Sequence, residues 1–224
     1  MKRIFILAVI MAMVSGFSMQ AHATLILKGT DSLGNRLIYD SDLNITWYDY
    51  TKSYDTWQNQ MNWASALDVN FGGTHYTDWR LPTTVDGTHV YGYDGTTTAG
   101  YNITSSEMGH LFYTELGNKG YYDTYGNYQP GWGLTNKGPF NNLQPYFYWS
   151  DTEYAASASG AWLFYFDIGF QGTLTKTSDF YDSYAIAVRP GDVSAVPEPG
   201  TLLLLGSGLA GLVGFRKKLG RIHG

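Results

Sequence analysis

The chain has 224 residues, no cysteine and a formal charge of −5, which excludes disulfide staples, thiolate metal centres and thiol catalysis. Residues 24–196 hold 18 acidic side chains against 8 basic ones, a formal charge of −10; a grip on phosphate backbones needs clustered Lys and Arg, so no nucleic-acid partner is expected. Aromatic residues make up 17% of the chain and charged ones only 15%, where ~25% charged is usual, a balance typical of exported β-rich surface proteins.

The chain begins Met1-Lys2-Arg3, continues with an apolar run over residues 4–14, and reaches Ala21-His22-Ala23. A basic start, an apolar run shorter than the ~20 residues of a membrane helix, and small residues before a cut are what a cleavable export signal needs. Residues 1–23 are therefore expected to be removed after Ala23, leaving 24–192 as one domain. Residues 24–27 and 36–39 predict strands around a turn at 31–35. Leu43, Ile45 and Trp47 alternate as in a half-buried strand.

Asp55-Thr56-Trp57-Gln58 predicts a helix start, with Asp55 as N-cap and Gln58 as its reciprocal partner. Trp57, Met61, Ala64 and Leu67 then line one face. A second helix is predicted from the capping box Thr104-Ser105-Ser106-Glu107. Ile103 staples onto Met108, the buried stripe is Met108, Leu111, Phe112 and Leu116, and Gly117 is the left-handed terminator. Residues 84–103 and 118–144 predict long loops, a length that in a compact domain points to function. Strands follow at 147–150, 161–166, 172–175 and 184–189. Strands, two helices and strands again predict an α+β domain with a mainly antiparallel sheet.

Chemistry-bearing motifs are sparse. His75, His89 and His110 match no metal-ligand spacing, so no metal site is expected, and His110 is placed on the helix surface. No Gly-x-Ser-x-Gly elbow occurs in the domain. Its three glutamates are 107, 115 and 153, with Glu107 assigned to the cap and Glu115 to the helix surface, so no carboxylate pair for glycoside hydrolysis stands out. The expectation is therefore a protein without catalytic residues or cofactor, not an enzyme. Calcium is the one ion the loops suit, through Asp86, Asp94, Asn102, Asp123 and Asn127. The strongest binding signal is aromatic: Tyr91, Tyr93, Tyr101, Tyr121, Tyr122, Tyr125, Tyr128 and Trp132 all fall in the loops. Flat rings stack on sugar faces, with Asp94 and its polar neighbours free to bond hydroxyls. The same rings could equally pin the loops to the domain, since Tyr packs its ring while keeping its hydroxyl wet.

At the C-terminal end Pro197-Glu198-Pro199 precedes an uncharged run over 201–215 and the basic cluster Arg216-Lys217-Lys218. Prolines stop regular structure, the run predicts a short transmembrane helix, and the basic end stays cytoplasmic. With all three parts present, residues 193–224 resemble the PEP-CTERM sorting signal of Gram-negative bacteria that make exopolysaccharide. That resemblance implies an exosortase as partner, a transient stay in the inner membrane, and delivery to the cell surface or extracellular matrix.

Three further strings are Trp79-Arg80-Leu81-Pro82-Thr83, Tyr148-Trp149-Ser150-Asp151-Thr152-Glu153-Tyr154 and Ala187-Val188-Arg189-Pro190-Gly191. With Ser106-Glu107-Met108 between the first two, residues 24–192 resemble the DUF1566 domain, which is similar to the C-terminal lectin-like domain of the Legionella collagen-like adhesin. The resemblance implies a C-type-lectin-like fold with two helices, a sheet holding both chain ends and functional long loops. It also implies a noncatalytic carbohydrate-binding or adhesion role with exopolysaccharide or a cell-surface glycan, in a matrix or biofilm setting. Arg80 and Arg189 are read as structural, each forming a buried ion pair, with Asp151 or Glu153 as partners, or bonding strand carbonyls.

Overall fold

A computed structural model describes residues 25–177 and 183–194. The expected export signal, Pro197-Glu198-Pro199 and the expected helix at 201–215 lie outside the described residues. Among the described residues no helix is long and apolar enough to cross a membrane.

The fold is α+β and mostly sheet. Strands β1 (Leu25–Thr30), β2 (Arg36–Asp40) and β3 (Ile45–Asp55) form an antiparallel meander leading into helix α1 (Trp57–Ser65). A small hairpin follows, β4 (Val69–Phe71) with β5 (Thr74–Tyr76). It turns on Gly72 and Gly73, both at positive φ, a Gly-Gly signal for a tight hairpin that the expectations above omit. The 84–103 loop contains two short strands, β6 (Tyr91–Gly92) and β7 (Ala99–Gly100). The chain then forms α2 (Glu107–Gly109), which continues as a π-helical turn (His110–Glu115), and closes with β8 (Phe147–Glu153), β9 (Gly160–Tyr165), β10 (Phe170–Thr175) and β11 (Ser183–Pro190).

Nine strands make one sheet in the order β1-β2-β3-β11-β8-β9-β10-β7-β6, so β11 returns to its middle. Pairing is antiparallel except for β11 with β8 and β6 with β7. Side chains alternate along a strand, and both faces of this sheet are covered. Leu37, Tyr48, Trp149, Ala185 and Ala187 face a core under α1. Ile38, Trp47, Tyr148, Ile186 and Val188 face a second core under the π-helical turn. Burial on both faces gives the near-continuous apolar run of residues 185–188. Trp47, Trp149 and Trp162 are fully buried, so the cysteine-free domain stands on rings.

Both helix starts differ from expectation. The α1 cap is Thr56, whose hydroxyl accepts from Asn59 N. Asp55 still belongs to β3, and its carboxylate accepts from Thr56 N and Asn59 Nδ2, while Gln58 bonds Asn62. The second helix is capped by Ser106, which accepts from Gly109 N. Its expected stripe of Met108, Leu111, Phe112 and Leu116 is buried, and Gly117 takes φ 63°. The turn between them widens to π geometry, with Leu116 N bonded to Leu111 O at 3.0 Å.

Glu107 is not a cap partner. Its two oxygens accept from the Arg80 guanidinium at 2.7 Å each, and Oε2 also accepts from Thr83 N at 2.7 Å. Arg80 and Val188 exchange backbone bonds, and Asp151 N donates to Pro82 O. The three strings and the helix start thus meet at one structural junction. Arg80 therefore pairs with Glu107 rather than Asp151 or Glu153. Arg189 holds Asp78 at 2.8 and 3.0 Å, and Glu153 pairs with Lys176. Burial pushes the Asp151 carboxyl up.

Candidate functional site

The loop rings come together, mostly against one another. Tyr93 stacks on Tyr101 at 6.1 Å, and both meet Tyr122 edge-on; Tyr121 meets Tyr122, Tyr128 and Trp132. Asn102, itself at φ 59°, ties the two loops by donating from Nδ2 to Tyr93 O and Tyr122 O. Close approach of β6 and β7 requires Gly100, where a Cβ would lie 1.9 Å from Gly92 O. Tyr101 is only 6% exposed and burial pushes its phenol up to about 12; a buried ring cannot stack on a ligand, so Tyr101 leaves the candidate set. Tyr93 and Trp132 are half-buried, the indole donating to Tyr128 Oη. The rings that face solvent are Tyr91, Tyr125 and Tyr128, with Tyr125 at 88% exposure.

The loop acids hold the loops in place. Asp94 Oδ1 accepts from Thr96 N and Oγ1, Asp123 Oδ1 from Tyr125 N and Asn127 N, and Asp86 Oδ1 from Trp162 Nε1. These bonds hold all three carboxyls below the usual range. Asp94 and Asp123 thus serve their own stretches of loop, a pattern expected of turn formers, while Asp86 ties its loop to Trp162 of β9 and to Ala155.

A concave site lies elsewhere. An open cleft of about 450 Å³ is lined by Asn35, Tyr50, Thr51, Ser53, Asn142, Gln144 and Tyr184. The end of the β1–β2 turn supplies Asn35, β3 supplies Tyr50, Thr51 and Ser53, and β11 supplies Tyr184. Asp49 is buried, and its carboxylate accepts from Asn141 N at 2.7 Å and Asn142 N at 2.9 Å, which fixes the wall bearing Asn142 and Gln144. Burial pushes this carboxyl up against those bonds. Tyr50 packs on Trp63, and Tyr184 on Tyr54, Tyr146 and Tyr148, so the ring walls are held from behind. The lining offers ring faces, amides and hydroxyls, with no acid, imidazole or amine. Sequence reading missed this site because the expected strand stops at residue 48. Carried to Asp55, the strand would have included Tyr50, Thr51 and Ser53, although two register shifts against β11 break its alternation beyond Tyr48.

The histidines do not converge. His75 pairs with Asp68 at 2.7 Å, and His89 stacks on Trp162. His110 is not on the helix surface: its side chain is 15% exposed, with Nε2 3.4 Å from Glu115 and 3.9 Å from Asp42. Glu115 is not on the surface either. Its side chain is 1% exposed, and burial, with the charges of Asp40 and Asp42, pushes its carboxyl up to about 7. Asp40, His110 and Glu115 form the one group among the described residues whose ligand atoms lie within 4.8 Å of one another.

The PEP-CTERM protein-sorting motif matches residues 195–218, spanning Pro197-Glu198-Pro199, the uncharged run and Arg216-Lys217-Lys218. The chain thus carries a signal that implies export through the membrane and sorting by an exosortase to the surface or beyond. No curated protein and no solved structure matches the chain.

Proposed function

We propose that this exported, exosortase-sorted protein is a noncatalytic carbohydrate-binding or adhesion protein of the bacterial envelope, working in or on the exopolysaccharide matrix. Its domain is read as a DUF1566-like, C-type-lectin-like module. The observation that carries the glycan reading is the cleft between Tyr50 and Tyr184. A sugar has apolar ring faces and a rim of hydroxyls. The cleft has Tyr rings, five amide or hydroxyl side chains beside them, and concave shape, the combination ligand sites use. Glycoside hydrolysis needs two carboxyl groups flanking the bond, and the lining contains none, which favours binding without turnover. Affinity per site would be weak and strengthened by many copies on one surface.

A second reading places the glycan on the loop face, because Tyr91, Tyr125 and Tyr128 remain exposed on loops that are themselves braced. The two readings separate in one experiment. The full chain, held in detergent, is titrated with purified exopolysaccharide of the producing organism. Under the cleft reading, Tyr50→Ala with Gln144→Ala weakens binding at least ~10-fold, and Tyr91→Ala with Tyr125→Ala leaves it unchanged. The reverse pattern moves the site to the loops. No saturable binding by the parent chain removes the glycan reading for that matrix.

A further inference from the structure

The acidic pocket under the π-helical turn has no part in the cleft or the loop face. Glu115 is almost fully buried, and neither of its carboxylate oxygens meets a hydrogen-bond donor, its contact with Asp40 being carboxylate to carboxylate; His110 Nε2 is buried and unpartnered as well. Buried polar atoms are nearly always satisfied, and each exception asks for an explanation. At 3.4 Å and without hydrogen-bond geometry, the His110–Glu115 contact does not satisfy either group. Asp40, also buried, brings a second carboxylate to the same point. Two carboxylates sharing a buried space repel unless a proton or a cation sits between them.

The backbone is shaped to create this arrangement. On an α-helix, residues five apart point ~140° from each other. In the π-helical turn the i→i+5 bond between Leu111 O and Leu116 N brings position 115 back over position 110. His110 and Glu115 therefore face one pocket only because the turn is widened, and such bulges tend to occur where a site needs them. Asp40 is held from behind: Oδ1 accepts from Asp42 N and Leu43 N, and Oδ2 from the Trp47 indole. Second-layer bonds of this kind orient metal-binding carboxylates. Asp42, whose side chain is 39% exposed, stands at the rim 3.9 Å from His110 and gives an ion a polar route inward.

We propose that Asp40, His110 and Glu115 bind one divalent transition-metal ion, of the zinc or manganese class, with Asp42 as a rim carboxylate. One imidazole nitrogen with carboxylate oxygens suits those ions; calcium takes oxygens alone. The ion joins β2 to the π-helical turn, so its role is to fix the second core, not to carry chemistry.

The test uses the full chain in detergent, stripped with chelator and titrated calorimetrically with Zn²⁺, Mn²⁺ and Ca²⁺. One equivalent of Zn²⁺ or Mn²⁺ is expected to bind more tightly than Ca²⁺ and to raise the melting temperature by mass action. Glu115→Gln keeps the side-chain shape, and is expected to melt no lower than the parent in chelator while binding the ion on the order of 100-fold more weakly. Co²⁺ absorption adds a check independent of stability: bands of a nitrogen–oxygen site appear in the parent and vanish in His110→Gln. Absence of transition-metal binding, preference for Ca²⁺, or unchanged affinity in Glu115→Gln would each overturn the proposal.

Discussion

Two parts of the molecule are rich in tyrosine, and they use it differently. In the 91–132 loops the rings meet rings: Tyr93, Tyr101, Tyr121 and Tyr122 form an unbroken set of edge and stacked contacts. Around the cleft, Tyr50 and Tyr184 are backed by rings on one side and present the other to Asn35, Asn142 and Gln144. Long loops lack the hydrogen-bond ladder of a sheet, and ordering them costs about 1–2 kcal/mol per residue. The loop rings offset that cost. The two cleft rings stand on β3 and β11, strands already fixed by their ladders, so they are available to a ligand. Tyrosine content alone therefore does not locate a binding site; what stands opposite each ring does.

The largest expected effect separates these uses. Tyr101→Ala removes a buried ring in contact with Tyr91, Tyr93, Tyr122 and Phe170. It should cost about 3 kcal/mol in urea denaturation, typical of a buried aromatic truncated to Ala. Tyr50→Ala, at a partly exposed site, should cost about 1 kcal/mol. Equal costs would erase the distinction between scaffold rings and ligand rings.

Next comes the residue that holds the cleft wall. Asp49→Asn replaces one acceptor oxygen by a donor, so one of the N–H groups of Asn141 and Asn142 loses its partner. About 2 kcal/mol of stability should be lost, the cost of stranding a buried donor, and glycan affinity should fall with it. A pH series gives the sign independently. The folded Asp49 carboxyl lies above its ordinary value because of burial, so the folded state binds its proton more tightly. The stabilising contribution is then complete below the unfolded value and is lost as pH rises through the folded one. Parent and Asp49→Asn melting curves should therefore converge as pH rises. Divergence with rising pH would mean that the two amide bonds outweigh desolvation.

Much of the fold was legible because it rests on local rules. Every strand of five residues or more overlaps one expected from the sequence, with alternation marking β3 and apolar runs others, and the stripe Met108, Leu111, Phe112 and Leu116 located the second helix and its buried face. What escaped depends on contacts distant in sequence. Glu107 looks like a capping residue until Arg80, 27 positions earlier, is seen to face it. Glu115 and His110 read as surface positions under α-helical spacing, and nothing local announces the π turn that buries them. The cleft gathers residues from 35 to 184. Its Tyr and Asn side chains are individually ordinary, so only the fold makes them a site. The loop tyrosines were conspicuous by density, and in the fold much of that density braces the loops.

The smallest expected effect is the sharpest discriminator between the two surfaces. Tyr125 is 88% exposed at the tip of a turn held by Asp123, which accepts from Tyr125 N and Asn127 N. Its ring removes little area from water, so Tyr125→Ala should change stability by less than about 0.5 kcal/mol. The substitution therefore tests recognition without disturbing the scaffold, which no buried ring of the cluster permits. Unchanged retention of the Tyr125→Ala chain on exopolysaccharide, beside weakened retention of Gln144→Ala, would place recognition in the cleft. A drop in retention with unaltered melting would show instead that an exposed loop ring contacts the glycan, and that the braced loops serve to present it.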